Sequence, residues 1–174
     1  MKKLCSIVMM AMGCLTVFAV TASLVGIRIN TTGSYPPGIY WMTNAPIAKG
    51  ALVIFCPTNT VAFHQAKERG YINAGFCPGG TGYMIKKILA AANDRVEMTA
   101  AGVLVNGVLL SNSKPMKMDL EGQPLSPIEG DIAALDNNSV LLMSDYSSKS
   151  FDARYFGLMN KTQIISVIRP LFTW

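Results

Sequence analysis

The chain has 174 residues, 15 of them basic and 10 acidic, for a formal charge of +5. Lys2, Lys3 and Arg28 flank a long apolar segment, and without these three the remaining 12 basic residues face 10 acidic ones, with no basic cluster interleaved with aromatics. That distribution speaks against nucleic-acid binding, and the ~145 residues beyond the segment suffice for one domain with a real core, unbroken by repeats or low-complexity tracts.

The apolar segment runs without a charge from Leu4 to Ile27. As a helix of about 24 residues at about 1.5 Å each, it spans a hydrocarbon core of about 30 Å. Lys2 and Lys3 before it outweigh Arg28 after it, so the positive-inside bias puts the amino terminus in the cytoplasm and the rest outside. Val20-Thr21-Ala22 also resembles a small-residue cleavage site, so retained anchor and cleavable signal both remain open. Either way, residues 1–28 form an anchor or signal segment and 29–174 an exported domain. Cys14 makes a poor lipid-attachment site, because the apolar run continues well past it.

Directly beyond lies Asn30-Thr31-Thr32-Gly33-Ser34-Tyr35-Pro36-Pro37-Gly38-Ile39-Tyr40. Pro36 and Pro37 stiffen this stretch, and Gly38 is expected to turn it sharply. A nucleophilic serine would thus sit beside a bilayer surface, as suits an enzyme acting on membrane-associated chains.

The rest of the domain reads mostly as strand. Ile39 to Met42, Ala51 to Cys56, Tyr83 to Ala90, Arg95 to Thr99, Ser139 to Ser144 and Gln163 to Ile168 are short runs of β-formers or apolar residues between Gly, Asn, Asp and Pro. Asn106-Gly107 between apolar triplets predicts a type I′ hairpin over Val103 to Leu110. Thr60 to Arg69 reads as a short helix ended by Gly70, and Lys114 to Pro127 as an irregular surface excursion.

Cys5 and Cys14 are apolar fillers of the first segment, whereas Cys56 and Cys77 lie in the exported domain and form a natural disulfide there. Closing that loop adds about 3 kcal/mol in the chain-entropy model. A zinc site is hard to assemble from one histidine and no closely spaced cysteine pair. The expected fold is therefore mainly β, with a short helical insertion stapled by the disulfide and one amino-terminal transmembrane or signal helix.

For serine activation, His64 would have to serve as a triad base, yet it sits on the candidate helix away from any serine motif. The alternative is a neutral lysine. An ordinary lysine is neutral in only about one molecule in a thousand near pH 7.5, so burial must depress its pKa. In Met84-Ile85-Lys86-Lys87-Ile88-Leu89, strand alternation turns Lys86 and Lys87 to opposite faces without saying which points inward.

Asn30 to Tyr40, Met84 to Val96 and Ser150 to Gly157 resemble, in order and spacing, three sequence boxes of the leader (signal) peptidases that use a serine-lysine dyad. The short chain, the Cys56 to Cys77 insertion and Phe55-Cys56-Pro57 resemble the plasmid-encoded branch that matures conjugative pilin. The resemblance implies Ser34 as nucleophile and Lys86 as general base. It implies an oxyanion hole from the Thr32 hydroxyl and the Ser34 N–H, and Ser150 orienting the lysine. It also implies a buried Asp152–Arg154 pair, with Asp152 tied to activity. Asp145 aligns with an aspartate of the third box, although Ser144 stands where a glycine is usual. Ala90-Ala91-Ala92-Asn93-Asp94 departs from the family's Gly-x-Pro-Gly-Asp turn.

The implied enzyme needs neither metal nor cofactor. It would work at the periplasmic face of the inner membrane, beside other conjugation-system proteins. Its substrate would be a pilin precursor, cut near the carboxyl terminus and joined head to tail. A general signal peptidase and a non-catalytic, membrane-anchored pilus-assembly scaffold are the alternatives. Tyr35, Ile39 and Trp41 are candidates to line a shallow cleft for an extended substrate, or else to pack in the core or at the membrane interface.

Overall fold

The computed structural model describes residues 2–174. The side chains of Lys2 and Cys5, assigned above to the positive flank and the apolar filler, lie outside the described ones. Helix α1 (Lys2–Leu24) leaves its apolar side chains exposed along its length, and its Ser6–Leu24 stretch is long and apolar enough to cross a membrane by length and composition.

Twelve strands follow: β1 (Ile27–Asn30), β2 (Gly38–Thr43), β3 (Leu52–Phe55), β4 (Ala74–Cys77), β5 (Met84–Ala90), β6 (Val96–Thr99), β7 (Gly102–Val105), β8 (Val108–Leu109), β9 (Gly130–Ile132), β10 (Ser139–Met143), β11 (Met159–Asn160) and β12 (Ile164–Thr173). Seven form one antiparallel sheet in the order β1-β2-β12-β3-β5-β10-β11, and β8-β7-β6-β9 form a second. Between them pack Ala90, Val96, Met98, Val103, Leu141 and Met143. β5 is covered on both faces: Met84 and Ile88 join Val53, Phe55 and Leu142, while Ile85 joins Tyr35, Tyr40, Ile54 and Ile168. Each such side chain contributes about 1.5–3 kcal/mol by leaving water. A lysine placed in this strand is therefore forced into an apolar setting on at least one face.

The expected hairpin is present, with Asn106 at φ 53° and Gly107 at φ 79°, both left-handed as a type I′ turn demands. The expected helix is α2 (Val61–Glu68), inside the loop closed by the Cys56–Cys77 disulfide, whose Cα atoms are 5.4 Å apart. Lys114 to Pro127 is irregular apart from a bridge between Met118 and Pro124.

The short strands β1, β4, β9 and β11 were not expected, and Gly38 and β12 also differ from expectation. Gly38 does not turn the chain; it opens β2 opposite Thr173, and a Cβ there would lie 2.3 Å from the Phe172 carbonyl oxygen. Its missing side chain serves close strand approach. β12 also runs past Ile168 through Pro170, because beyond Val167 it pairs only with β2 and bulges between Pro170 and Phe172.

Candidate active site

The segment between β1 and β2 that carries Ser34 has no strand ladder, so side chains fix it. Asn30, 3% exposed, shares its amide donors among the carbonyls of Thr32, Tyr35 and Pro36 at 3.2, 3.0 and 3.0 Å. Its Oδ1 accepts the Thr32 N–H at 3.1 Å and the Thr32 hydroxyl at 2.8 Å. Tyr40 donates to the Pro36 carbonyl at 2.7 Å, and the buried Ser144 hydroxyl donates to the Ser34 carbonyl at 2.6 Å. Neither the role of Asn30 nor that of Ser144 was foreseen from sequence. The available signal was an asparagine opening a Thr-Thr-Gly stretch, the chemistry of an Asx turn.

Lys86 is the lysine that points inward. Its Nζ donates to Ser34 Oγ at 3.0 Å, and the residue is 2% exposed. Burial pushes its pKa down to about 8, with the Asp152 carboxylate holding it up and the Arg154 guanidinium pressing it further down. Ser150 Oγ lies 3.3 Å from Ser34 Oγ and so meets the serine rather than the lysine. The Thr32 hydroxyl, engaged by Asn30, must rotate before it donates elsewhere.

Asp152 and Arg154 form a fully buried pair, Nε to Oδ1 at 2.7 Å and Nη2 to Oδ2 at 2.8 Å. Asp152 also caps the short helix α3 (Ala153–Phe156) and accepts the Ser144 N–H at 3.2 Å. Arg154 gathers the carbonyls of Asn112, Lys114, Ser148 and Ser150 at 2.9 to 3.1 Å. The pair thus shapes the wall that presents Ser150, and its bonds reach neither Ser34 nor Lys86. Lys87, on the other face of β5, donates to Asp145 at 2.7 Å, and Tyr35 donates to the same carboxylate at 2.7 Å. Burial opposes the charge on Asp145, yet these two bonds hold its carboxyl below the usual range.

Ser34 and Lys86 open onto a cavity of about 650 Å³ whose aromatic wall comes from Tyr71, Tyr83, Phe151 and Tyr155. Of the two readings left open for Tyr35, Ile39 and Trp41, cleft lining is not what the structure has, since none of them lines this cavity. Tyr35 turns inward to Asp145, and the Trp41 indole donates to the Val25 carbonyl at 2.9 Å. Exposed His64 engages Asn59, and no cluster of His, Cys, Asp and Glu able to hold a metal occurs among the described residues.

A sequence model of the signal peptidase family, peptidase S26, matches residues 1–173. The chain belongs to the signal peptidase family. Among relatives, it is 53% identical to a plasmid transfer protein TraF of Escherichia coli over 93% of this chain and 92% of the other. It is 38% identical to a probable conjugal transfer protein TraF of Sinorhizobium fredii over 86% and 78%. It is 35% identical to the conjugal transfer protein TraF of Agrobacterium tumefaciens over 91% and 90%. A signal peptidase I crystal structure from Enterococcus faecalis V583 aligns with a TM-score of 0.41 at 16% identity, over 72% of this chain and 98% of that one. As a signal peptidase family member, the chain combines a mainly β body with an apolar amino-terminal helix, and its near relatives are transfer proteins.

Proposed function

We propose that this protein is a membrane-associated serine endopeptidase that matures a conjugative pilin precursor at the periplasmic face of the inner membrane, with residues 1–28 as its anchor or signal. The observation that carries this reading is the contact between the buried Lys86 amine and Ser34 Oγ at 3.0 Å. With a pKa of about 8, the amine is neutral in roughly a quarter of molecules at pH 7.5, against about one in a thousand for an ordinary lysine.

Neutral Lys86 takes the Ser34 proton as Oγ attacks the substrate carbonyl. The Ser34 N–H and the rotated Thr32 hydroxyl stabilise the oxyanion, each such donor being worth about 3 kcal/mol. Lys86 then returns the proton to the leaving amine, and an acyl-enzyme ester on Ser34 remains. Ser150 holds the nucleophile oxygen in line, while Asp152 and Arg154 support the wall. The pilin's own amino terminus resolves the ester, giving a cyclic product.

Ser34→Ala and Lys86→Ala, expressed separately with the precursor, test the reading by mass spectrometry. Precursor is expected to persist in both. Unchanged processing in both would favour the non-catalytic scaffold, and a linear product alone would favour the general signal peptidase.

A further inference from the structure

Two segments that the dyad chemistry does not require converge over the cavity. One is Arg69 to Asn73, at the end of α2 inside the disulfide loop; the other is the excursion, which brings Met116, Asp119, Leu120 and Leu125 to the same space. They are fastened to each other. Arg69 Nη1 donates to the Pro124 carbonyl at 2.7 Å, and the Tyr71 phenol donates to the Asp119 carboxylate. Asp119 is itself fixed by the N–H groups of Glu121 and Gln123 at 2.9 and 2.7 Å. The near end of the excursion is held by the Met116 N–H on the Tyr155 hydroxyl at 2.9 Å. Below, the Tyr71 ring lies 5.5 Å from that of Phe151, the neighbour of Ser150. The result is a roof over one side of Ser34, in which the apolar Met116, Leu120 and Leu125 stand beside the charged Arg69, Asp119 and Glu121.

We infer that this roof, latched by Tyr71–Asp119 and Arg69–Pro124, decides whether water or an amine resolves the acyl-enzyme, by excluding water and holding the incoming chain terminus. The inference rests on the peptidase reading above. In both outcomes a nucleophile attacks the ester carbonyl, its new bond to carbon forms as the bond to Ser34 Oγ breaks, and its proton passes through Lys86 to Oγ. With the pilin amine the new bond is an amide and no water is consumed; with water, an acid is released. Water is present at high concentration, so the amine prevails only when it is tethered and oriented, for which effective molarities reach about 10⁵ M or more. Within the lining, Tyr71, Ile72 and Leu125 offer the incoming terminus apolar surface in place of water.

The test compares the full-length protein with Tyr71→Phe and with Tyr71→Phe/Arg69→Ala, each reconstituted with pilin precursor, and measures the ratio of cyclic to linear product, which differ by one water. Tyr71→Phe keeps the ring and removes only the latch. Both products descend from one acyl-enzyme, so the ratio is blind to how many molecules are folded. The expected result is a fall in the ratio of about tenfold, the loss of one charge-assisted hydrogen bond, and a further fall in the double variant. A ratio equal to wild type in both variants, with processing intact, overturns the roof inference alone. No product from the wild type overturns the peptidase reading and this inference with it.

Discussion

Lys86 and Lys87, consecutive on β5, deliver their amines to opposite faces of the strand: one to Ser34 Oγ at 3.0 Å, the other to Asp145 at 2.7 Å. Asp145 in turn holds the phenol of Tyr35, the residue after Ser34. The serine loop is thereby tied to one strand twice, once through Ser34 Oγ and once through its neighbour Tyr35. The Lys87–Asp145 pair is about a third exposed on each side, so solvent screens it and its role is positional more than energetic.

The depressed pKa of Lys86 sets a pH signature. Turnover at low substrate should rise with pH and level off above about 8, as the amine loses its proton. The stability effect has the opposite origin. Because the folded pKa is lowered from 10.5 to about 8, the unfolded chain binds more protons between those values, and stability rises with pH across that window. Below it, the folded state carries the full cost of a buried charge. Lys86→Met should therefore be more stable than wild type at pH 7 by about 2 kcal/mol, after allowing for the lost bond to Ser34, and the gain should shrink by pH 10. Urea unfolding at the two pH values measures it; a gain that grows with pH would contradict the burial.

Asp152 and Arg154 should behave as a structural unit. Asp152→Ala leaves a guanidinium buried and uncompensated, at an expected cost of about 3–5 kcal/mol. Pairing it with Arg154→Met should cost less than the sum of the single changes, a coupling of about 1 kcal/mol or more in a double-mutant cycle. If Asp152→Asn melts like wild type yet fails to process substrate, the carboxylate acts in the chemistry instead.

The parts of this site that follow alternation or a known box were legible in the residues; the parts made by long-range polar contacts were not. Period two places Lys86 and Lys87 on opposite faces but leaves open which faces inward, since that depends on the distant segments carrying Ser34 and Asp145, which come to lie against the two faces of β5. β1 was hidden because Ile27 reads as the tail of the apolar run. The excursion over Lys114 to Pro127 was read as irregular, and it is. That Tyr71 and Arg69 fasten it beside the Ser34 cavity is a pairing across some 50 residues of chain, which no local pattern encodes. Asn30 and Ser144 are single polar residues whose importance comes from burial and from the hydrogen bonds they make to the Ser34 segment once folded.

Gly38 offers a check on the sheet that carries the Ser34 loop. Its ideal Cβ would lie 2.3 Å from the Phe172 oxygen and 2.8 Å from the Thr173 Cα, both backbone atoms that cannot yield without parting β2 from β12. Gly38→Ala should destabilise by about 1–3 kcal/mol, as overpacking does, and Gly38→Val by more. Thermal melts of the two variants report it, and an alanine variant as stable as wild type would place the strands farther apart.

Whether the body lies against a membrane can be tested through its two tryptophans. The Trp41 side chain is half exposed and its indole is bonded to the carbonyl of Val25, just past the end of α1; Trp174 is 65% exposed, and its backbone N–H donates to the Pro37 carbonyl. Ile29 and Phe172 extend the same apolar edge. Aromatic side chains of this kind settle at the level of lipid headgroups. With the full chain reconstituted in vesicles, lipids brominated near the headgroup should quench the fluorescence of Trp41→Phe and of Trp174→Phe alike. Lipids brominated deep in the acyl chain should quench less. Emission untouched by either lipid would turn this edge away from the bilayer, and with it the mouth of the serine loop.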